Sequence, residues 1–336
     1  MIAVIGAGAM GAALAMLHDR AGLRTALLGT RFDDAVIEAC GSGRPHPALG
    51  ISLPPSIDCR RHGRWGAVLQ NTERVVIGVA SEGLADVVGE VAGIARQHVV
   101  WALATKGWDS QTLRTPSQIV RSLAERVERV VVLAGPALAP ELVAGAPTAM
   151  VCASDDLDVA RDIANTLIAA GISAAVTDDI AGAEVAAAYK NVTAIAVGMC
   201  EGLSARLPES VYVHRFANAR AAIFAHGLAD MTKLAAVNGG RVETILGLAG
   251  AGDLFVTCLG GRNGNFGRLL GEGQTPGQAR AAIGSTVEGV TNTTAALALA
   301  ERAGVELVAA RAVDAVLSGR MAPEKAVAAA LAGETA

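Results

Sequence analysis

The sequence predicts two domains, an α/β domain with a doubly wound parallel sheet over residues 1–179 and an all-helical domain over residues 180–336. The chain has 336 residues, which exceeds the usual size of a single hydrophobic core. In the first half, short apolar runs alternate with helix-like segments, and this alternation is typical of a parallel sheet. Beyond about Asp179 the chain changes to alanine-rich stretches punctuated by glycine clusters, which favour packed helices.

The strand predictions rest on short apolar runs, and longer segments between them are predicted to be helical. The predicted strands are Ile2–Ile5, Thr25–Leu28, Val75–Val79, Val99–Leu103, Val130–Leu133, Thr148–Cys152 and Ala174–Thr177. The predicted helices of the same domain are Ala12–Leu23, Leu84–Arg96, Pro116–Arg126 and Leu157–Ala170.

The composition argues against nucleic-acid partners. Aromatic residues make up only 3% of the chain, although hydrophobic residues reach 52%. Single-stranded nucleic acids stack on aromatic side chains, and these are scarce. A formal net charge of -4 without a basic stripe also gives no surface suited to phosphate backbones.

The five cysteines are odd in number, far apart and without a Cys-x-x-Cys pair, which indicates a reducing cytoplasm and no metal site. No charged side chain precedes His18 and Asp19, so a signal peptide or membrane helix is an alternative. However, this stretch contains three glycines and is shorter than the roughly 20 residues that cross a bilayer. We therefore expect no stable membrane insertion.

Gly6, Gly8 and Gly11 form the pattern Gly-x-Gly-x-x-Gly between a predicted strand and a predicted helix. The first glycine of this pattern makes a tight turn, the second lets the backbone approach a pyrophosphate, and the third allows close packing of helix on strand. The motif alone is weak evidence because glycine-rich turns are common. Here it lies between a predicted strand and a predicted helix, which is the position that a dinucleotide site requires. The pattern predicts a Rossmann-type domain that binds a nicotinamide dinucleotide.

The second predicted strand ends at Leu28, close to where a ribose-binding residue is expected. Thr30 and Arg31 follow it in place of a carboxylate. Because an arginine can pair with the 2′-phosphate of NADP, NADP is favoured over NAD. Two alternatives stay open. In one, the loop folds back and Asp33 or Asp34 binds the ribose of NAD. In the other, Arg31 is a solvated charge in the loop and binds no cofactor.

Lys190 is the only charged residue between Glu184 and Glu201, in a segment that reads as an apolar helix. Desolvation lowers the pKa of a lysine, and a proton-transfer group works best when its pKa approaches the operating pH. Lys190 is therefore a candidate general acid or base. The alternative is a lysine that snorkels to the helix surface.

Other candidates lie in loops. Lys106 follows a predicted strand, at the carboxyl edge where open α/β sheets bind ligands. Asp253 is the lone carboxylate of a glycine-rich segment, and Arg262 and Asn263 lie in a second one, where a guanidinium and an amide suit a phosphate. The plainer interpretations are a solvated lysine, a helix cap and a surface turn.

Taken in order, these segments resemble the NAD(P)-dependent sn-glycerol-3-phosphate dehydrogenase family over nearly the whole chain. Several short motifs in the right order are more specific than any one of them. The matching segments are the glycine turn, Thr105-Lys106-Gly107, Ala134-Gly135-Pro136 through Glu141, Tyr189-Lys190-Asn191-Val192, Gly247–Asp253, Thr257-Cys258, Gly261-Arg262-Asn263 and Val287-Glu288-Gly289.

The resemblance implies a role for each matching residue. Lys190 would be the proton-transfer residue, with Lys106 and Asp253 as its catalytic neighbours. The implied substrate-binding residues are Lys106, Gly135, Asn191, Asp253, Thr257, Arg262 and Asn263. The implied cofactor-binding residues are Gly6, Gly8, Ala9, Met10, Gly11, Thr30, Arg31, Lys106, Ala139, Arg262 and Glu288.

The sequence also departs from the family pattern. Bacterial members usually carry a serine where this chain has Ala137, so a hydroxyl donor to the substrate is lost. Ala225-His226-Gly227 replaces a common Thr-Arg-Gly, and Gly264 stands where a second arginine often follows. These changes put the identity of the substrate in doubt more than the fold.

We therefore predict an oxidoreductase that interconverts dihydroxyacetone phosphate and sn-glycerol 3-phosphate with NADP or NAD. A small phosphorylated substrate, a homodimer and a cytoplasmic location are expected. The alternatives are a dehydrogenase of a related phosphorylated or carboxylated hydroxy compound, and a non-catalytic redox sensor that binds NADP.

Overall fold

The computed structural model describes residues 1–96, 98–124, 127, 129–208 and 216–334. The chain forms two compact units. The first comprises Met1–Lys106 and Arg114–Ile180, and the second Gly107–Leu113 and Ala181–Ala336. The short segment Gly107–Leu113 thus packs with the second unit, whereas the division predicted at residue 179 places it in the first domain.

The described residues of the first unit form an eight-stranded sheet. Its strands are β1 Ile2–Ile5, β2 Thr25–Leu28, β3 Asp58–Arg60, β4 Arg74–Ile77, β5 Val100–Leu103, β6 Val130–Ala134, β7 Ala149–Ala153 and β8 Ser173–Thr177. Their order in the sheet is β3-β2-β1-β4-β5-β6-β7-β8. All neighbouring strands are parallel except β6 and β7. The predicted fold class is confirmed.

Two features of this sheet differ from the sequence prediction. Strand β3 was not predicted, because a three-residue edge strand whose ends, Asp58 and Arg60, are exposed has no apolar run. Strand β7 runs antiparallel to β6, with Ala134 opposite Val151. The chain turns back after β6 through Gly135, whose φ is 102°, so β7 starts at the edge where β6 ends.

The helices of the first unit pack on this sheet. The predicted helix Pro116–Arg126 ends at Leu123, and its last two residues, Glu125 and Arg126, lie outside the described residues. The short helices Asp34–Gly41, Gly66–Leu69 and Ala139–Ala144 were not predicted. The helices that the described residues form in this unit are Ala9–Arg20, Asp34–Gly41, Gly66–Leu69, Leu84–Ala92, Pro116–Leu123, Ala139–Ala144 and Leu157–Ala169, with a 3₁₀ turn at Ser81–Gly83.

His18 lies in the core of the first unit, on the helix Ala9–Arg20. Its Nδ1 donates to Leu14 O at 2.7 Å, while its buried Nε2 has no partner among the described residues. Burial lowers the pKa of His18 from 6.5 to about 4, and the positive charge of Arg74 acts in the same direction. The folded protein therefore holds this imidazole neutral.

We expect this neutral histidine to weaken the protein in acid. Below pH 6.5 the unfolded chain takes up a proton at His18 that the folded chain refuses, so stability falls as the pH drops from about 6.5 to about 4. The full loss is about 3 kcal/mol. In calorimetric unfolding between pH 7.5 and 4, His18→Gln should show a shallower loss than wild type. An equal loss of stability in wild type and in His18→Gln would contradict this role of His18. His62→Gln, at a half-exposed site, is the control and should lose stability as wild type does.

The second unit is all-helical within the described residues, as the sequence predicts. Its longest element is Ile180–Ser204, called here the lysine helix, which is buried along most of its length. The other helices within the described residues are Ala217–Val237, Val242–Leu246, Asp253–Cys258, Arg262–Gly271, Pro276–Ile283, Glu288–Ala303, Val308–Leu317 and Pro323–Leu331, with a π-helical turn at Leu248–Gly252.

Glycines bring the helix Arg262–Gly271 into backbone contact with the lysine helix. A Cβ atom added at Gly198 would lie 2.1 Å from Gly264 O, and one added at Gly267 would lie 2.0 Å from Ile195 O. Neither position accepts a side chain without separating the helices. This contact brings the beginning of Arg262–Gly271 beside the middle of the lysine helix.

Among the described residues, no single helix has the length and apolar composition needed to cross a membrane. One bent pair, Val242–Cys258 with Arg262–Gly271, meets the criterion by length and composition only.

Candidate active site

The glycine turn of the first unit has the backbone geometry that a dinucleotide requires. Gly6 has a φ of 98°, a left-handed conformation that favours glycine. A Cβ atom at Gly11 would lie 1.9 Å from Gly6 O, whereas one at Gly8 would meet nothing within 4 Å. The turn is therefore closed on the side of Gly11 and open at Gly8, and the residues present fit a pyrophosphate. Ala9 and Met10 begin the helix that follows.

The loop after β2 folds back toward the glycine turn. Asp33 Oδ2 accepts hydrogen bonds from Thr30 N at 2.8 Å, Thr30 Oγ1 at 2.7 Å and Ala7 N at 3.2 Å. The loop therefore folds back and brings Asp33 to the glycine turn. This is the loop geometry that one of the two alternatives left open by the sequence requires. This carboxylate oxygen already accepts three protein donors.

Arg31 points to solvent with its side chain 61% exposed. Its Nη2 lies 3.1 Å from Asp86 Oδ2, and its guanidinium lies 4.9 Å from the centre of the Phe32 ring. Stacking on an aromatic face and one carboxylate contact hold the guanidinium while most of its surface stays accessible.

The other predicted residues of the first unit follow strands β5 and β6. Lys106 comes after β5, where Thr105 Oγ1 donates to Val79 O at 2.8 Å and joins the loops after β4 and β5. Gly135 follows β6, and Ala139 begins the helix Ala139–Ala144. Lys106 and Gly135 therefore lie just beyond the carboxyl ends of two neighbouring strands, and Ala139 begins the helix that follows β6.

In the second unit, Lys190 and Asp253 form a buried ion pair. Lys190 Nζ donates to Asp253 Oδ1 at 2.5 Å, and the two side chains are 8% and 2% exposed. Snorkelling of Lys190 to the surface is excluded by this geometry. Asp253 is brought in by the glycine-rich turn Leu248–Gly252, where a Cβ atom at Gly250 would lie 2.0 Å from Ile245 O. Burying both charges is costly unless they are paired, and such pairs mark candidate functional sites.

A chain of amide hydrogen bonds connects three helices next to this pair. Asn191 Nδ2 donates to Glu288 Oε2 at 3.2 Å, and Asn191 Oδ1 accepts from Asn263 Nδ2 at 2.9 Å. Asn263 Oδ1 in turn accepts from Gly289 N at 2.9 Å. These bonds fix the orientation of both amides and bring together residues that lie up to 98 positions apart in the chain.

Two more predicted residues lie in the same unit. Arg262 begins its helix with a half-exposed guanidinium whose Nη2 is 3.9 Å from Glu288 Oε1. Thr257 Oγ1 donates to Asp253 O at 2.6 Å and so stabilises the first turn of the helix Asp253–Cys258, which carries the Asp253 carboxylate. The structure thus brings Lys190, Asn191, Asp253, Thr257, Arg262, Asn263 and Glu288 into one helical unit.

Sequence reasoning missed the side chains that hold the lysine helix in place. Tyr189 Oη donates to Asp230 Oδ2 at 2.7 Å, and Asp230 also accepts from Val308 N and Ala309 N at 3.1 and 2.8 Å. Burial is the main cause that raises the pKa of both Tyr189 and Asp230. Asp230 shares its alanine-rich helix with Arg220 and Lys233, so the rule that singled out Lys190, a lone charge in an apolar segment, does not find it.

Asn292 makes a second attachment. Its Nδ2 donates to Ala188 O at 3.1 Å, and its Oδ1 accepts from Trp108 N at 3.3 Å. Asn292 therefore joins the lysine helix to Gly107–Leu113, the short segment that packs with this unit.

The thiols of the chain show no sign of activation. All five cysteines are free, and burial raises the pKa of Cys152, Cys200 and Cys258 to about 12. Among the described residues, no group of three or more His, Cys, Asp or Glu side chains is placed to hold a metal ion.

A sheet that carries a glycine turn and a helical unit that carries a buried lysine are together features of nicotinamide-dependent dehydrogenases. Family models for NAD-dependent glycerol-3-phosphate dehydrogenase match residues 1–160 for its N-terminus and 179–328 for its C-terminus. The chain belongs to the NAD-dependent glycerol-3-phosphate dehydrogenase family, which confirms the resemblance drawn from the sequence.

Relatives and solved structures agree with this assignment. A glycerol-3-phosphate dehydrogenase [NAD(P)+] of Xanthomonas campestris pv. campestris (strain B100) is 35% identical over 96% of this chain and 92% of its own. Its counterpart in Stenotrophomonas maltophilia (strain K279a) is 35% identical over 99% and 95%. The crystal structure of glycerol-3-phosphate dehydrogenase from Coxiella burnetii matches with a TM-score of 0.85 and 30% identity, covering 97% of each chain.

A structure from another enzyme class shares the fold. A PanE/ApbA family ketopantoate reductase from Ralstonia eutropha matches with a TM-score of 0.58 and 17% identity, covering 97% of this chain and 99% of its own. At this identity the likeness concerns the fold alone, so the choice of substrate has to be argued from the site.

Proposed function

We propose that this protein interconverts dihydroxyacetone phosphate and sn-glycerol 3-phosphate with NADP or NAD, and that Lys190 is its proton-transfer residue. Relatives that carry this enzyme name are 35% identical over nearly the whole chain. The observation that carries the lysine role is the buried contact of 2.5 Å between Lys190 Nζ and Asp253 Oδ1. The same unit holds the predicted substrate residues Asn191, Thr257, Arg262 and Asn263.

In the reducing direction, a negative charge develops on the C2 oxygen of the ketone and needs a proton. When bound, the reduced nicotinamide supplies the hydride that adds to C2. As the carbonyl electron pair moves onto oxygen, Lys190 Nζ gives that oxygen a proton; in the oxidising direction it takes the proton from the C2 hydroxyl. Asp253 keeps the ammonium in place, a contribution of fixed charge to the transition state.

Arg262 and Asn263 hold the substrate phosphate in this proposal. A guanidinium offers paired donors that match phosphate oxygens, and the bond from Asn263 Nδ2 to Asn191 Oδ1 places the two residues beside the lysine helix. Orientation of the substrate between a phosphate anchor and a proton donor lowers the entropic part of the barrier. The remaining proposed substrate residues are Lys106, Gly135, Asn191, Asp253 and Thr257.

The dinucleotide is proposed to bind at the glycine turn, with the pyrophosphate against the helix N-terminus that begins at Ala9. Residues 1–179 would hold the cofactor and residues 180–336 the substrate. A homodimer in the cytoplasm belongs to the same proposal. The proposed cofactor residues are Gly6, Gly8, Ala9, Met10, Gly11, Thr30, Arg31, Lys106, Ala139, Arg262 and Glu288.

A substrate panel tests the function directly. The purified protein is mixed with NADH or NADPH and the loss of nicotinamide absorbance is followed with dihydroxyacetone phosphate, dihydroxyacetone, glyceraldehyde 3-phosphate and an α-keto acid. We expect turnover to be fastest with dihydroxyacetone phosphate. Faster turnover with the keto acid would favour a carboxylate-specific dehydrogenase, and cofactor binding without any turnover would favour a redox sensor.

We propose that NADP is preferred and that Arg31 is the residue that selects it. The accessible guanidinium is suited to a 2′-phosphate, whereas Asp33 Oδ2 already accepts three protein donors. Arg31→Ala should raise the KM for NADPH about 10-fold, the worth of one charged hydrogen bond, and change the KM for NADH less than twofold. Arg61→Ala, at another exposed arginine of the same unit, is the control. Equal losses with both cofactors would contradict the proposal.

A further inference from the structure

We propose that His46 is a positioning residue that holds the glycine turn in its phosphate-binding conformation. This inference rests on the dinucleotide-binding function proposed above and names a residue that the glycine motif does not contain. His46 lies in the loop between Asp34–Gly41 and β3, is only 1% exposed, and places its Nε2 2.8 Å from Ala7 O.

The hydrogen bonds of the loop settle which ring nitrogen carries the proton. Ala48 N donates to His46 Nδ1 at 3.2 Å, so Nδ1 is the acceptor nitrogen and Nε2 is the one that donates to Ala7 O. The backbone of His46 is held as well, because His46 N donates to Ile51 O and Gly50 N donates to His46 O, both at 2.8 Å. A preorganised loop therefore presents a single donor to the turn.

Ala7 is held on both of its backbone groups by two separate loops. Asp33 Oδ2 accepts from Ala7 N at 3.2 Å, and His46 donates to Ala7 O. In a trans peptide the carbonyl of one residue and the N–H of the next point in opposite directions, and the described chain contains no cis peptide bond. Holding Ala7 O toward His46 therefore turns Gly8 N–H away from the imidazole.

Gly8 is the position of the turn that faces open space, since an added Cβ atom would meet nothing within 4 Å there. A backbone N–H at this place, next to a helix N-terminus, is the donor that a pyrophosphate oxygen uses. Without His46, the peptide between Ala7 and Gly8 gains rotational freedom. Binding would then have to order it, which lowers affinity.

The test compares His46→Leu, which removes the donor, with His46→Gln, whose amide N–H can take the place of Nε2–H. Ser52→Ala is the matched control, because Ser52 lies in the same loop and donates only to Gly43 O. Affinities for NADH and NADPH are measured by nicotinamide fluorescence, and adenosine, which has no pyrophosphate, is measured by competition. Thermal unfolding and kcat at saturating cofactor are recorded for each variant.

We expect His46→Leu to weaken NADH and NADPH binding alike by about 10-fold, with adenosine affinity and saturated kcat changed less than twofold. His46→Gln should recover most of the loss, and Ser52→Ala should resemble wild type. Unchanged NADH and NADPH affinities in His46→Leu, or an equal loss for adenosine, would overturn the inference even if the protein is less stable. Failure of wild type to bind NADH and NADPH would instead overturn the proposed function.

Discussion

Replacement of Lys190 by methionine is expected to lower kcat by about 10²- to 10⁴-fold, the usual contribution of a positioned proton donor. Methionine keeps the length of the side chain but carries no proton. The C2 oxygen must then take its proton from water, so the loss falls on the chemical step. Steady-state oxidation of NADPH by dihydroxyacetone phosphate measures it, and the KM for NADPH should stay within about threefold.

The difficulty with this variant is that Asp253 remains buried without its cation, which destabilises a protein by about 3–5 kcal/mol. The double variant Lys190→Met, Asp253→Asn removes the stranded charge and should regain stability without regaining activity. Lys325→Met, at an exposed lysine of the same unit, controls for the loss of a positive charge. A double variant that folds and turns over within tenfold of wild type would exclude Lys190 as the proton donor.

The second large effect is expected at Arg262. Arg262→Ala should lower kcat/KM for dihydroxyacetone phosphate about 100-fold, because a bidentate guanidinium–phosphate contact contributes two charge-assisted hydrogen bonds. Most of the loss should appear as a higher KM. With dihydroxyacetone, which has no phosphate, kcat/KM should change less than threefold.

The matched control is Arg268→Ala, on the same helix, whose guanidinium pairs with Glu272. It should leave both substrates unaffected. If Arg262→Ala reduced turnover of dihydroxyacetone and of its phosphate by the same factor, Arg262 would not be the phosphate anchor. Together with the methionine variant, this measurement separates the residue that holds the substrate from the residue that reacts with it.

The parts of the molecule that the sequence predicts are those where chemistry and local pattern coincide. The strands of the sheet interior are continuous apolar runs because both of their faces are buried. Lys190 stands out because a single charge interrupts an apolar helix, and Gly6, Gly8 and Gly11 stand out because their spacing has a backbone reason.

The parts that escaped prediction depend on contacts between distant segments. His46 reaches Ala7 across 39 positions, and Asn263 reaches Asn191 across 72. Nothing in the local pattern of a proline-flanked histidine or of an asparagine in a glycine-rich segment indicates such a partner. The same holds for Gly107–Leu113, which packs with the second unit although its neighbours on both sides belong to the first.

The backbone contact between the lysine helix and Arg262–Gly271 has a consequence for which substrates can be used. Main-chain atoms meet main-chain atoms at Gly198 and Gly267, so rotamer changes cannot alter the separation of the two helices. The proposed proton donor lies on one helix and the proposed phosphate anchor begins the other, so the backbones that carry them are held at a fixed separation. A ketone whose carbonyl and phosphate are one carbon farther apart should therefore be a poor substrate.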